Sequence, residues 1–600
     1  MNNQFKIAPL ALALIGATLA GCGDDNNNNS AQGPSASELT FTAVAAPSTD
    51  SEKRAILTAT AKADGVELEN FGYHTLVRSD DVIDGVNFGQ LVDENGNQLY
   101  AEDGSARVSN SNEYTSILQV GGKLFSVSQM EDRPGAMFLM ELNQDIKNGE
   151  LSVKSMSQLD QSGIDGGWVH CAGSVTPWQT HLASEEYEPN ARELITATEA
   201  AADGYTAPML EYFQDAAAKW NPYSYGFNIE VTVDKNGAAS MQKHYAMGRL
   251  AFELAKVMPD QKTVFMTDDG TNVGFYMFVA DKAGDLSAGT TYAAKWHQTS
   301  AAAGGMADLT WVNLGHATDS EVSAYIHGAN PLKFTDIFET ATPEADHTCA
   351  AGFSSVNAGG VGQECLKIKS GMEKAASRLE TRRYAGIKGA TTEFRKEEGL
   401  TYDSKRHRLY VGMSEVAKGM EAGGSSNYGL SDDIKLTKNS CGAVYALDLT
   451  TDSDVGSDYV PNRMFALING RPISAEPQEE GFDTTLNTCH INGLANPDNV
   501  TYMSGYDYLI IGEDTGSGHQ NDVIWAYNFA DSNLIRMQTT PYGAETTSPY
   551  WYENINGWAY LTSVVQHPYG ESDESKSTGV DENRAYTGYV GPFPSPVVKK

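Results

Sequence analysis

Residues 170–186 read HCAGSVTPWQTHLASEE, a cysteine followed closely by two adjacent glutamates, Glu185 and Glu186. A thiolate is a soft donor that favours transition metals, and carboxylates are hard donors that suit calcium. One sulfur among several oxygens therefore suits a mixed-metal cluster better than calcium alone. Acids also recur wherever an apolar run ends: Glu131, the pair Asp268 and Asp269, Glu415, and the pair Glu513 and Asp514. If those runs are equivalent strands, their ends share one face and the acids converge.

Other catalytic chemistries lack their signatures. The sequence has no G-x-S-x-G elbow, no H-E-x-x-H helix and no G-x-x-x-x-G-K-[ST] phosphate loop. Its 12 histidines are scattered. The formal charge of −36, from 42 basic against 78 acidic residues, opposes binding to a nucleic-acid backbone. That charge suits a protein that binds divalent cations. No nucleic-acid partner is expected.

The cysteines divide unevenly. Lys6, the apolar stretch IAPLALALIGATLA and then LAGC ending at Cys22 match a bacterial lipoprotein signal, so residues 1–21 are expected to be removed and Cys22 lipidated. Residues 22–40 are then expected to form a polar, disordered tether. Five cysteines remain, an odd number for an oxidising compartment. Cys349 could pair with Cys365 and Cys441 with Cys489, which would leave Cys171 over; spacing does not fix the connectivity.

The elements that must position these groups are strands. KLFSVSQMEDRPGAMFLMELN, TVFMTDDGTNVGFYMFVA and YLIIGEDTGSGHQNDVIWAYNF each read as strand, acidic turn, strand, and HRLYVGMSEV with GAVYALDL follows the same plan. Hairpins repeated over several hundred residues without alternating helices predict an all-β closed array, best a β-propeller spanning 41–600. Residues 281–385 break the rhythm: they are rich in Ala and Gly and end in the helix-like GMEKAASRLETRRYA. They are expected to form a partly helical insertion over one face.

Taken together, HCAGSVTPWQTHLASEE resembles the N-C-A-G-G-x-T-P-W-G-T-W-L-T-C-E-E signature of the PhoX-type alkaline phosphatases. YAMGRLAFELA, VFMTDDGTNVGFYMFV, RKEEGLTYDSKRHRLYVGMSE, LANPDNVTYMSGYDYLIIGED, TPYGAETTSPYW and VVQHPYGE resemble further segments of that family in the same order. The resemblance implies a six-bladed propeller whose channel holds iron and calcium and hydrolyses phosphate monoesters. Position by position, it implies Cys171, Glu185, Glu186, Glu253, Asp269, Glu398, Asp498, Asp514 and Glu545 as metal ligands. Lys396 takes the basic position two before Glu398 and is the expected contact to a phosphoryl oxygen.

The chain departs from the family at His170, Ser174 and the run Lys396-Glu397-Glu398, where the family shows Asn, Gly and Arg-Pro-Glu. The expected protein is thus a divergent, monomeric, lipid-anchored phosphatase of the bacterial cell envelope that acts on a small phosphoester. The alternative is a non-catalytic, calcium-stabilised propeller lipoprotein for binding or adhesion. A calcium propeller that hydrolyses lactones would leave Cys171 without a role.

Overall fold

Strands such as Tyr508–Glu513, Thr263–Asp268 and Lys123–Met130 are apolar runs buried almost end to end. A strand reads this way when its sheet is covered on both faces. The computed structural model describes residues 34–428 and 432–597. It shows that cover: six blades, each with four antiparallel strands, packed around a channel, two of them joined edge to edge in one nine-stranded sheet.

The innermost strands, in chain order, are Asn112–Val120, Gly173–Val175, Phe252–Val257, Glu397–Asp403, Pro497–Met503 and Glu545–Ile555. We number their sheets as blades 1 to 6. Each inner strand contacts the next, and the last contacts the first, so the ring is closed. The second strands are Lys123–Met130, His181–Ala183, Thr263–Asp268, Arg408–Met413, Tyr508–Glu513 and Trp558–Gln566. Closure uses both ends of the chain. In blade 6 the outer strand, Gly72–Arg78, comes from the N-terminal side and pairs with Tyr586–Pro596. The expected all-β propeller is the fold.

Apolar side chains from facing sheets fill the gaps between blades. Tyr410, Val444 and Ala446 of blade 4 meet Leu509, Ile511 and Trp525 of blade 5. Burial of each such side chain contributes about 1.5–3 kcal/mol. Disulfides join Cys349 to Cys365 and Cys441 to Cys489, and Cys171 is a buried free thiol.

Two expected boundaries move. Residues 34–40, expected as the end of a tether, belong to the fold. Ser35 and Ala36 pair with Ser595 and Pro596, and Leu39 packs with Tyr508 and Phe593, an apolar anchor that composition did not reveal. Residues 1–21 and Cys22 lie outside the described residues. Among the described residues, no helix is long and apolar enough to cross a membrane.

The expected insertion at 281–385 also divides. Its first part is a long hairpin, Asp285–Ser300 with Met306–Thr318, that continues blade 3 and joins blade 4 through Ser457–Asn469. Only the remainder is a cap, built from the helices Asp319–His327, Glu373–Leu379 and Thr381–Ile387 and a three-stranded sheet. Alanine is a weak strand former, so packing between blades, not propensity, makes that hairpin.

A buried charge cluster ties the cap to blade 2. The His244 ring lies 2.8 Å from Glu230 and 3.3 Å from Asp319 at the head of the first cap helix. Burial opposes charge on His244, but hydrogen bonds to Asp319 and Glu230 outweigh it and raise its pKa to about 9. Its folded pKa lies above the unfolded value of 6.5, so the contribution is complete below pH 6.5 and fades as pH rises through about 9. His244→Gln is expected to lower the unfolding free energy by a few kcal/mol at neutral pH. It should also flatten the loss of melting temperature that the wild type shows between pH 7 and 10 in scanning calorimetry.

Candidate metal centre

Four inner strands begin with the same irregularity, a β-bulge in which extra residues oppose fewer on the partner strand. In blade 1 the register skips Glu113, and in blade 3 Glu253 and Leu254 stand opposite Thr267 alone. Blade 4 bulges at Glu398 and Gly399 and blade 5 at Asp498 and Asn499, opposite Gly412 and Gly512. A bulge bends its strand and re-aims a side chain. Here each re-aimed side chain is an acid at the channel.

A second tier comes from the ends of the second strands. Glu131, Glu186, Asp269 and Asp514 line the same cavity, together with Glu545 at the start of blade 6's inner strand. Successive residues of a strand point to opposite sides, so each acid pair splits. Glu186, Asp269, Glu398 and Asp514 face the channel. Glu185, Asp268, Glu397 and Glu513 are buried on the other side.

Three of those four have partners of their own. Glu185 lies 2.8 Å from the Lys243 ammonium and accepts the Gly226 and Phe227 N–H groups. Asp268 pairs with Arg382. Glu513 accepts from Trp525 Nε1 and the Ala495 N–H and lies 2.8 Å from His519. Glu185 was expected as a ligand; the structure turns it away from the cavity to neutralise a buried lysine. Glu415 also fails to converge, because Arg395 holds it at 2.9 Å.

Cys171 completes the cavity from the turn before blade 2. Its carbonyl accepts from Gln129, which is held in turn by His181, and the Ser184 hydroxyl bridges the carbonyls of Ala172 and Glu253. The thiol then donates to Glu253 Oε2 at 2.9 Å. His170 is fully buried against Gln161, and burial pushes its pKa down to about 3, so it is a neutral structural group.

The cavity holds about 180 Å³ and is lined by nine carboxylates, the Cys171 thiol, Tyr187 and one ammonium, Lys396. Burial and mutual repulsion push Glu113, Glu186, Glu253, Asp498 and Glu545 well above the usual carboxylate range. The same causes bring Glu131 and Glu398 to about 7. Burial likewise raises the Cys171 thiol, and neighbouring glutamates add to it. Lys396 sits at a left-handed φ of 48°, with its ammonium 3.1 Å from Glu398 and 3.7 Å from Asp514. Burial works against its charge, but Glu398, Asp269 and Asp514 hold it protonated.

Comparison with known proteins identifies the family. The family model of alkaline phosphatase PhoX matches residues 91–552. The chain belongs to the PhoX family. A structure of Pseudomonas fluorescens PhoX in complex with vanadate, a transition state analogue, has 15% identity and a TM-score of 0.56, covering 92% of this chain and 98% of that one. The Pseudomonas aeruginosa periplasmic gluconolactonase has 10% identity and a TM-score of 0.31, covering 88% and 97%. No curated protein matches the chain by sequence.

The PhoX donor set divides into groups that could each hold an ion. Donor atoms of Glu113, Cys171 and Glu253 lie within 4.8 Å of one another, as do those of Glu253, Glu398 and Asp498. Glu253 is common to both, so a sulfur-containing position adjoins an all-oxygen one. A third group, Glu545, His567 and Glu571, lies beside them. Nine carboxylates, six of them buried, facing one ammonium fit cations as counter-charge.

Sequence reading did not place Glu113, His567 or Glu571 in the site, and noted Glu131 only as a strand end. Aligning the blades with one another would have found Glu113, which heads its inner strand as Glu253 heads the third. Metal analysis of purified protein provides the check. Glu253→Gln is expected to remove most bound metal. Glu185→Gln should leave the stoichiometry of the folded protein unchanged while lowering its stability by about 3–5 kcal/mol, since Lys243 loses its partner.

Proposed function

We propose that the chain hydrolyses phosphate esters with iron and calcium ions held in its channel. One observation carries this reading: nine carboxylates and a thiol from all six blades enclose about 180 Å³ with a single ammonium among them. Cys171, Glu113 and Glu253 would hold iron, since thiolate favours a transition metal. Glu253, Glu398 and Asp498 would hold calcium, and Glu186, Asp269, Asp514 and Glu545 would complete the cluster. Bound there, the ions supply Lewis-acid polarisation of the phosphoryl group and lower the pKa of a water.

The chain's own residues orient the anion. Lys396 offers a fixed positive point to a non-bridging oxygen, and its strained backbone is pinned by hydrogen bonds to Gly270 and Ser414. The Tyr187 hydroxyl, which burial keeps protonated, donates to Asp269 at the cavity mouth and holds that carboxylate in place. Enclosure within the ring excludes bulk water and strengthens each of these interactions. The Pseudomonas fluorescens relative binds vanadate as a transition state analogue, which supports an in-line displacement here.

Metal-loaded protein is expected to release p-nitrophenol from its phosphate monoester. Chelator and Cys171→Ala should abolish turnover, and Lys396→Ala should lower kcat about 100-fold. Metal-loaded protein that turns over neither monoesters nor diesters would favour the non-catalytic propeller.

We further propose a monomer anchored through a lipid on Cys22 at the bacterial cell envelope. Fractionation of cells that express Cys22→Ala should move the protein from membrane to soluble fractions. Unchanged membrane association would refute the anchor.

A further inference from the structure

The metal cavity opens into a second, larger cleft of about 570 Å³, and Tyr187, Asp269 and Lys396 line both. A phosphoryl group bound among the acids must direct its ester oxygen somewhere, and this cleft is continuous with the cavity and is the size of a small-molecule site. One wall comes from the cap. The tip of the hairpin formed by Ser354–Asn357 and Gln363–Ile368 reaches over the channel mouth. The Gly359 N–H donates to Asn272 O at 2.9 Å, and a Cβ on Gly359 would stand 2.6 Å from the Arg382 guanidinium. With φ near +70° at Gly359 and Gly360, the tip lies flat on its support.

The cleft's arginines are already partnered. Arg382 is paired with Asp268 and Glu188, Arg383 with Glu364 and Glu380, and Arg395 with Glu415. Its surface is mixed, with three large apolar side chains standing out on it. Tyr187 and Tyr205 are each 40% exposed, with the Arg133 guanidinium 3.8 Å from the centre of the Tyr205 ring, and Val361 at the hairpin tip is 46% exposed. Apolar and aromatic side chains lining a concavity beside a polar anchor are the usual walls of a small-molecule site.

We propose that this cleft is the leaving-group subsite and that Tyr205 and Val361 select phosphate monoesters whose leaving group carries a flat ring system. The inference rests on the phosphatase reading above. Polyol and simple sugar esters place only hydroxyl groups against these walls and recover little from them. A ring system covers the two exposed side chains and raises kcat/KM about tenfold, which corresponds to about 1.4 kcal/mol.

The test compares adenosine 5′-monophosphate with ribose 5-phosphate on the metal-loaded protein. Both release a primary alkoxide and differ by the base alone. The ratio of their kcat/KM values is expected near ten in the wild type and below two in Val361→Ser. A wild-type ratio near one, or a ratio that Val361→Ser leaves unchanged, overturns the proposal. If neither ester is turned over, release of p-nitrophenol from its phosphate monoester shows whether the phosphatase reading stands, and calorimetric binding of the same two compounds decides the cleft. Tighter binding of the nucleotide that weakens in Val361→Ser then supports the subsite, and equal affinities overturn it.

Discussion

Repulsion among like charges is the constraint on which the rest of this molecule depends. Nine carboxylates around about 180 Å³ cannot all be ionised beside one lysine. Alone, Glu113, Glu131, Glu186, Glu253, Glu398, Asp498 and Glu545 are driven toward protonation, and with divalent cations the group becomes a binding site. A closed ring of blades suits such a load, because each acid sits on or just beyond a strand of a blade that packs against two neighbours. The repulsion is borne by several inter-blade cores together and not by one loop.

The structure separates the charges it can neutralise from those it leaves for ions. In three adjacent acid pairs, strand alternation sends one carboxylate to the channel and its neighbour to a buried partner such as Lys243, Arg382 or the cluster around His519. Those rear contacts fix the backbone at the ends of the second strands, while the bulges aim Glu113, Glu253, Glu398 and Asp498 from the inner strands. Glu397 differs, for its buried oxygens have no hydrogen-bond partner. It occupies the position where the family shows proline, and nothing in the structure explains the acid there.

The cap connects this charge pattern to substrate access. Its first helix is held by His244 and its three-stranded sheet delivers Val361 to the channel mouth. Glu230, which faces His244, also accepts from Trp178 and Thr180 in the loop after Cys171. The cap and the thiol-bearing turn therefore share one buried hydrogen-bond network, and cap position and ligand position are mechanically linked.

Much of this was legible in the chain itself. Apolar runs ended by acids specified strands with convergent ends, and the ordered motifs around Cys171, Glu253, Glu398 and Glu545 specified the family. Composition also anticipated the two disulfides as pairings open to Cys349 with Cys365 and Cys441 with Cys489. Sequence could not say which member of an acid pair faces the channel. A residue's side of a strand depends on register, and here register is reset by bulges that form only when the partner strand is in place. Glu185 and Glu186, just past the strand His181–Ala183, are equivalent as letters and opposite in space. The hairpin within 285–318 and the leaving-group cleft were likewise decided by packing between distant segments, which local propensity does not encode.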